Sequence, residues 1–229
     1  MILADSYPFT VIALDSATGW SQLREQARGY LAEDDADRLE TWLKSSAGCV
    51  YLEADYIDVD YRDTFSNFYS KKFARFPSRT IRLLFFGQVP NDWVDVEEIS
   101  DSFIGYSVVR PTRVGTLGRT VLDPTRISCT GGYMLSTRFR AHLLGTTLEV
   151  RGFPFMTQDT AVSVCAHVAL WSCLRYFSER YSAYPEIYPY AIAQLTTDMS
   201  DGRLVPARGL TMAQITESFA RYGFHPLYY

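Results

Sequence analysis

The sequence is poor in histidine and has no long apolar run. Only 3 of its 229 residues are His. No apolar stretch approaches the roughly 20 residues that a membrane-spanning helix needs. The first residues, MILADSYPFTVIALDS, contain no basic segment ahead of an apolar one, and Asp5, Pro8 and Asp15 interrupt them. We therefore expect neither a secretory signal peptide nor a membrane segment.

Cysteine is also scarce. The four cysteines are far apart in the chain and form no CxxC pair, which argues against a disulfide framework or a zinc ribbon. In a chain of this size, such spacing is typical of reduced thiols in the cytosol. We predict a cytoplasmic protein with free thiols at Cys49, Cys129, Cys165 and Cys173.

Runs of one charge sign are absent. The net charge of −4 gives no electrostatic reason to expect binding to nucleic acid or to an anionic membrane. The pair Lys71-Lys72 and the scattered arginines are interpreted as solvated surface. No sequence feature implies a cofactor.

Apolar and aromatic residues are plentiful, at 47% and 15% of the chain, so a substantial core is expected. Short β-rich runs and amphipathic helical stretches follow one another without a repeat, which predicts an α+β fold. We expect a mixed N-terminal α/β region at about 1–145 and a second region at about 146–229. Residues 138–144 and 146–151 alternate in character on either side of Gly145, which predicts a hairpin or a bent strand. The boundary is soft, because the strands before Gly145 fit the same sheet.

Acidic and aromatic residues are concentrated in the segment 55–76, where Asp55, Asp58, Asp60 and Asp63 invite a metal-site interpretation. The glycine and the terminal glutamate of an EF-hand loop are both missing, so we predict no metal site. We expect the acids to cap a helix over about 61–73. Its inward face would carry Phe65, Phe68, Tyr69 and Phe73.

Two glycines, Gly115 and Gly118, lie in the segment RVGTLGRTVL. A Gly-rich turn can bind phosphate, and the segment superficially resembles the acyl-CoA loop of acetyltransferases. The P-loop Lys is missing, and Asp123-Pro124 stands where a helix should follow. A β-turn between two strands is the competing interpretation.

The most informative stretch is QDTAVSVCAHVALWSCLRYFSERY, residues 158–181. Apolar residues recur there at three- and four-residue steps, which predicts an amphipathic helix beginning beside Cys165. Thr160 or Ser163 is the expected N-cap. Unpaired N–H groups at a helix N-terminus stabilise a thiolate, the nucleophilic form of Cys. A Cys in an apolar helix is, however, more often a small buried hydrophobe, and we assign Cys173 that role.

The succession of a Gln, a short turn, a Cys and a central helix resembles the papain-like cysteine peptidases, in particular the branch of bacterial double-glycine leader peptidases. A later segment, from Gly209-Leu210-Thr211 to Tyr222-Gly223-Phe224, extends the resemblance over residues 153–224. The resemblance implies a papain-like half-domain in the C-terminal region, with Cys165 as nucleophile and Gln158 as the oxyanion-hole residue. Thr211 and Gln214 predict a capping box for a last helix.

The resemblance also implies a catalytic His, and then an Asp or Asn, after the Cys helix. Only His225 follows it here. His142 precedes the Cys. His167 lies two residues after Cys165, about 200° around the helix, so it points away from the thiol. We expect either that His225 serves as the base or that the site is completed by residues outside this chain, for example in a further C-terminal domain.

Three functional hypotheses remain open. The first is a cysteine peptidase or related thiol acyl-transfer hydrolase that acts on a peptide, a protein or an amide conjugate. The second is a catalytically inactive papain-like scaffold that binds a partner protein. The third is acyl-CoA-dependent acetyl transfer at the Gly115–Gly118 turn.

Overall fold

The computed structural model describes residues 9–128, 132–162, 165–198 and 210–227. Helices and antiparallel strands alternate irregularly along the chain, so the predicted α+β class is confirmed. No helix in the described ranges is long and apolar enough to cross a membrane. In chain order the elements are β1 (Phe9–Ala13), α1 (Gly19–Gln26), α2 (Glu33–Leu43), β2 (Cys49–Tyr56), α3 (Val59–Asn67), β3 (Thr80–Phe86), β4 (Phe103–Val109), β5 (Leu117–Leu122), β6 (Thr137–Leu143), β7 (Thr146–Gly152), α4 (Cys165–Arg180), α5 (Pro189–Asp198) and α6 (Met212–Arg221).

The main sheet is a five-stranded antiparallel meander in the order β1-β2-β3-β4-β5. Every residue of β3 and β4 is buried, because both faces of the sheet are covered. Side chains on a strand alternate between faces. Leu83 and Phe85 pack with Leu39 and Leu43 of α2, in the same apolar cluster as residues of α1. Leu84 and Phe86 pack in a second cluster on the opposite face.

The opposite face is covered by the hairpin β6–β7, whose seven residue pairs match the predicted hairpin. Its turn residues Leu144 and Gly145 both have positive φ, 48° and 87°, as a two-residue type I′ turn requires. Phe139 of β6 and Val150 of β7 belong to the cluster beneath the sheet. A boundary at 145/146 therefore runs through a hairpin, and both of its strands pack on the sheet of the N-terminal region.

The C-terminal helices form a third apolar cluster in which Leu170, Trp171 and Leu174 of α4 pack with Ile187 and Ile192. The predicted capping box of α6 is present, since the Thr211 hydroxyl accepts from the Gln214 N–H and the Gln214 side chain accepts from the Thr211 N–H. Gly223, with φ 89°, follows the end of α6. Local sequence signals therefore place this helix correctly.

The acid-rich segment caps a helix, as predicted. The Asp58 carboxylate accepts from the Tyr61 N–H at 2.8 Å and begins α3. The helix ends at Asn67, and a 3₁₀ turn over residues 69–71 follows. Tyr69 is buried as predicted, but Phe73 is fully exposed, so its predicted inward packing was wrong. The physical reason is that the chain leaves the helix six residues before Phe73.

A buried ionic cluster joins the sheet to α4. Asp60 accepts from Arg119 of β5 at 2.8 Å and from Arg175 of α4 at 3.1 Å. Glu186 pairs with both arginines. The Arg175 side chain has no exposed surface, and that of Asp60 has 3%. Of the acids in the 55–63 segment, Asp60 thus binds arginine and Asp58 caps α3, and the described residues contain no cluster able to hold a metal ion.

We expect Arg175→Met to lower the free energy of unfolding by about 3 kcal/mol, because the substitution removes one partner of a buried carboxylate and leaves charge in a low-dielectric interior. Arg221→Met is the matched control. It removes an Arg from an exposed i,i+4 pair with Glu217 on α6, and such pairs contribute about 0–1 kcal/mol. Urea denaturation measures both. Equal, small effects would show that the cluster does not hold α4 to the sheet.

Candidate functional site

The Cys165 thiol lies at the first residue of α4 and is exposed. Because the first N–H groups of a helix have no partner inside it, they face any anion formed at this position. Thr160 lies five residues earlier with φ 57°, so it is not the N-cap of this helix. The alternative cap, Ser163, lies outside the described residues. The helix predicted beside Cys165 is present, and its described part begins at Cys165.

The other described thiols are less accessible. Burial, with a smaller contribution from the Asp15 carboxylate, raises the pKa of Cys49 to about 12. The Cys49 thiol donates to the Gln88 carbonyl at 3.1 Å. Burial also raises the pKa of Cys173, which lies on α4. Cys129 is outside the described residues. Cys165 is therefore the one exposed thiol in the ranges that the structure describes.

Gln158 lies in the segment 153–162 that connects β7 to α4. This segment runs beside β5: Phe155 exchanges two backbone hydrogen bonds with Thr120, and the Thr157 N–H donates to the Leu117 carbonyl at 2.9 Å. The Gln158 side chain is exposed, whereas its neighbours Thr157 and Asp159 are buried. The backbone on either side of Gln158 is therefore fixed, and its amide faces solvent.

Asp35 anchors this segment from α2. Its Oδ2 accepts from the Thr116 N–H at 2.7 Å and from the Thr116 hydroxyl at 2.8 Å. The Thr157 hydroxyl donates to the same oxygen at 3.3 Å and accepts from the Leu117 N–H at 3.0 Å. The buried carboxylate thus joins α2, the start of β5 and the segment that carries Gln158.

Arg110 anchors the same segment from the end of β4. Its buried guanidinium donates to the carbonyls of Leu117, at 3.1 Å, and Thr157, at 2.7 Å. It also donates to the Gly115 carbonyl. One arginine therefore satisfies three backbone acceptors where three pieces of chain meet.

Asp159 closes the turn ahead of α4. Its Oδ1 accepts from the N–H groups of Ala161 and Val162 at 3.1 and 2.9 Å, and its Oδ2 accepts from the Tyr69 hydroxyl at 2.9 Å. Burial and the Asp159 carboxylate together raise the pKa of Tyr69. Sequence reasoning missed Asp159. The available signal was an Asp placed two and three residues before N–H groups that its side chain can bind, a common turn pattern.

The conformation of Gly115 explains why the sequence needs glycine there. Its φ is 63°, and a Cβ at this position would lie 2.0 Å from the Gln158 carbonyl oxygen. The residue belongs to the connection between the antiparallel strands β4 and β5, as the β-turn interpretation predicted. The backbone of Gln158 therefore occupies the space beside this glycine.

None of the three imidazoles is hydrogen-bonded to Cys165 within the described residues. His142 is on β6, and its Nδ1 lies 3.1 Å from the Thr147 hydroxyl. His225 is exposed and follows Phe224, whose ring lies 4.8 Å from that of Phe177. Phe177 is twelve residues along α4 from Cys165, an axial distance of about 18 Å. Gln158 thus lies seven residues before Cys165, in the segment that leads to α4, and no described contact joins His225 to the Cys165 thiol.

His167 is the imidazole nearest to Cys165 in sequence. Burial lowers its pKa, and the Asp159 carboxylate acts in the opposite direction. The half-buried ring and the buried carboxylate thus influence each other at the first turn of α4. This electrostatic interaction connects the helix to the turn that precedes it.

Comparison with known proteins identifies no relative of this chain. No family model, no curated protein and no solved structure matches it. The exposed thiol, the anchored segment and the charges around them are therefore the evidence for the chemistry of the site.

We expect Cys165 to be the first described thiol alkylated by limiting iodoacetamide, because Cys49 and Cys173 are shielded and have raised pKa values. Peptide mapping after short exposure measures the order, and the same experiment in urea is the control, in which the differences should disappear. Labelling of Cys49 or Cys129 before Cys165 in the folded protein would contradict the prediction.

We expect Gly115→Ala to lower the free energy of unfolding by about 3 kcal/mol, since it adds both backbone strain and a collision with the Gln158 carbonyl. Gly145→Ala is the matched control: its φ is 87°, but no atom lies within 4 Å of the added methyl group. It should cost only the strain, about 1 kcal/mol. Thermal unfolding compares them. Equal losses of stability in the two variants would show that the backbone at Gln158 moves without cost to make room for the added methyl group.

Proposed function

We propose that Cys165 is the nucleophile of a thiol acyl-transfer site of the papain-like type, acting on a peptide, protein or amide conjugate. The observation that carries the proposal is the exposed thiol at the first residue of a 16-residue helix, preceded by a segment fixed by buried polar groups. Such a nucleophile must be held in position, and it must be activated by an adjacent base or by an environment such as a helix N-terminus that favours the thiolate. The resemblance of the Gln-to-Cys segment to papain-like peptidases adds independent support.

In the proposed reaction, the thiolate sulfur adds to the substrate carbonyl carbon and the carbonyl π electrons move to oxygen. The resulting oxyanion collapses, the C–N bond breaks, and the amine leaves after accepting a proton. Water then attacks the thioester and returns the acid and the free thiol. No cofactor or metal enters this sequence of steps.

Gln158 is assigned to the oxyanion. Its side-chain N–H would donate to the oxygen as negative charge develops there, near the positive end of the α4 dipole. A donor of this kind is effective when it need not reorganise. The anchoring of Thr157 and Asp159 on either side of Gln158 supplies that rigidity.

The catalytic and the scaffold hypotheses differ in whether a base accepts the proton of the Cys165 thiol. His225 was the sequence-based candidate, but Phe224 contacts the C-terminal half of α4 instead of its start. This observation favours the second hypothesis, a papain-like scaffold that binds a partner protein without catalysis. The partly exposed Tyr181, stacked near Phe177 and Tyr184, is a candidate contact for such a partner.

The acyl-CoA hypothesis is not carried further. Gly115 precedes β5 and Gly118 lies within it, so a strand stands where the loop and helix would be needed. The Gln158 backbone and the Arg110 side chain fill the space beside the two glycines. For the thiol reaction we propose a reducing compartment such as the cytosol, because Cys49, Cys165 and Cys173 are all unpaired.

We expect Gln158→Ala to slow acylation of Cys165 by a p-nitrophenyl ester of an N-blocked peptide by about a hundredfold, because the loss of one oxyanion donor has that cost. Alkylation by iodoacetamide passes through no oxyanion, so its rate should be unchanged in the same variant. Mass spectrometry of the intact protein follows both reactions. Cys165→Ala should abolish acylation, and His225→Ala should leave it unaltered.

Other outcomes separate the hypotheses. Acylation at equal rates in the wild type and Gln158→Ala would remove the oxyanion assignment and favour the binding scaffold. Acylation that depends on both Cys165 and His225 would show that this imidazole reaches the thiol. Ester cleavage unaffected by Cys165→Ala would end the proposal.

A further inference from the structure

A groove of about 440 Å³ lies beside the anchored segment. It runs between three stretches of chain, residues 29–32, 74–77 and 111–116. Its walls include the aromatic rings of Tyr30 and Phe76, the pyrrolidine rings of Pro77 and Pro111, and the guanidinium-bearing side chains of Arg75 and Arg113. The proposed acyl-transfer site does not include this groove.

Two arginines line the groove, and further exposed cations without a described ion pair lie close to them in the chain. Arg75 and Arg113 line it, and three more exposed cations flank Arg75 in the chain. Within the described residues none of the five forms an ion pair. Most other described arginines do, on the surface as at Arg24 and in the interior as at Arg82. We call this set the basic rim: Lys71, Lys72, Arg75, Arg79 and Arg113.

Acidic groups near the groove do not neutralise the rim. Burial, with a smaller contribution from the Asp55 carboxylate, raises the pKa of Tyr30, which lines the groove. Asp35 and Asp159 lie behind it, where they are buried and hydrogen-bonded to Thr116 and Tyr69. The groove therefore presents excess positive charge on a chain whose net charge is −4.

An exposed aromatic ring accompanies the cations. Phe73 is fully exposed between Lys72 and Arg75, although its sequence pattern predicted burial. Phe76 packs on the buried Tyr69 ring at 4.6 Å between centroids and lines the groove. A surface with both a free ring and free cations suits a ligand that carries apolar and acidic groups.

The groove shares its wall with the candidate site. Thr112 and Thr116 line it, and Gly115 between them lies against the Gln158 carbonyl. On the other side, Tyr69 contacts both Phe76 of the groove and Asp159 of the anchored segment. A chain held in the groove would therefore lie next to the residues that hold Gln158.

We infer that the groove binds an acidic stretch of the polypeptide substrate, with its carboxylates on the basic rim and an apolar side chain against Phe73. The inference rests on the proposed acyl-transfer function and names its substrate class. A short acidic stretch meets only the local positive charge. A long polyanion such as nucleic acid would also meet the overall negative charge of the chain, which disfavours it.

The test uses the full chain and a fluorescein-labelled peptide of Glu, Leu and Gly, with a control peptide in which every Glu is Gln. Fluorescence anisotropy on the Cys165→Ala variant measures binding without reaction. We expect the acidic peptide to bind at least about tenfold more tightly than its control, and less tightly as salt is raised. In the same background, Arg75→Glu or Arg113→Glu should weaken it about tenfold. Arg151→Glu, an exposed and unpaired site on β7, makes the same charge change and should have little effect.

Equal binding of the two peptides, or equal loss in Arg75→Glu and Arg151→Glu, would overturn the inference. So would tighter binding of a single-stranded oligodeoxynucleotide, which would identify the rim as a nucleic-acid surface. If the acidic peptide binds through the basic rim but Cys165 of the wild type is not acylated, the groove is a binding site and the proposed function is wrong. If Cys165 is acylated but the protein binds the acidic peptide no more tightly than its control, the proposed function is supported and the inference about the groove is wrong.

Discussion

The buried contact of Asp60 with Arg119 and Arg175 is the interaction on which the arrangement of this molecule depends. Charges removed from water must find one another, because an unpaired buried charge costs several kcal/mol. Arg175 of α4 and Arg119 of β5 both contact Asp60 of α3, at 3.1 and 2.8 Å, so the position of α4 is tied to that of the sheet. Cys165 lies ten residues earlier on the same rigid helix, about 15 Å along its axis. The cluster thus fixes where the thiol emerges.

The segment before the thiol is fixed in a different way, by polar groups contributed from distant parts of the chain. Asp35, Arg110 and Tyr69 each hold a piece of it, and Gly115 admits its backbone. The sheet therefore belongs to the site as much as the helix does. A division of the chain at 145 would separate Gln158 from Asp35, Tyr69, Arg110 and Gly115. Rigid placement by buried neighbours is what an oxyanion donor requires.

Charge is distributed unevenly between interior and surface. In the interior, the carboxylates of Asp35, Asp60 and Asp159 accept hydrogen bonds from arginine, tyrosine and backbone donors. Outside, the basic rim keeps its charge exposed beside an aromatic ring. The interior pairs hold the proposed site in place, while the rim is available to a ligand. The groove and the anchored segment are connected, since Tyr69 contacts Phe76 of the groove and Asp159 of the segment. Gly115, next to the groove residue Thr116, lies against Gln158.

The sequence by itself determined the α+β class, the hairpin, the cap at Asp58 and the capping box at Thr211, because these depend on neighbours within a few residues. It also indicated the thiol at a helix start. Only the tertiary structure decided that Phe73 is exposed and that Asp159 and Arg175 hold the site. Their partners lie far away, 90 residues from Asp159 to Tyr69 and 115 from Arg175 to Asp60. Contacts at such separations leave no periodic signal, since folding alone brings those residues together.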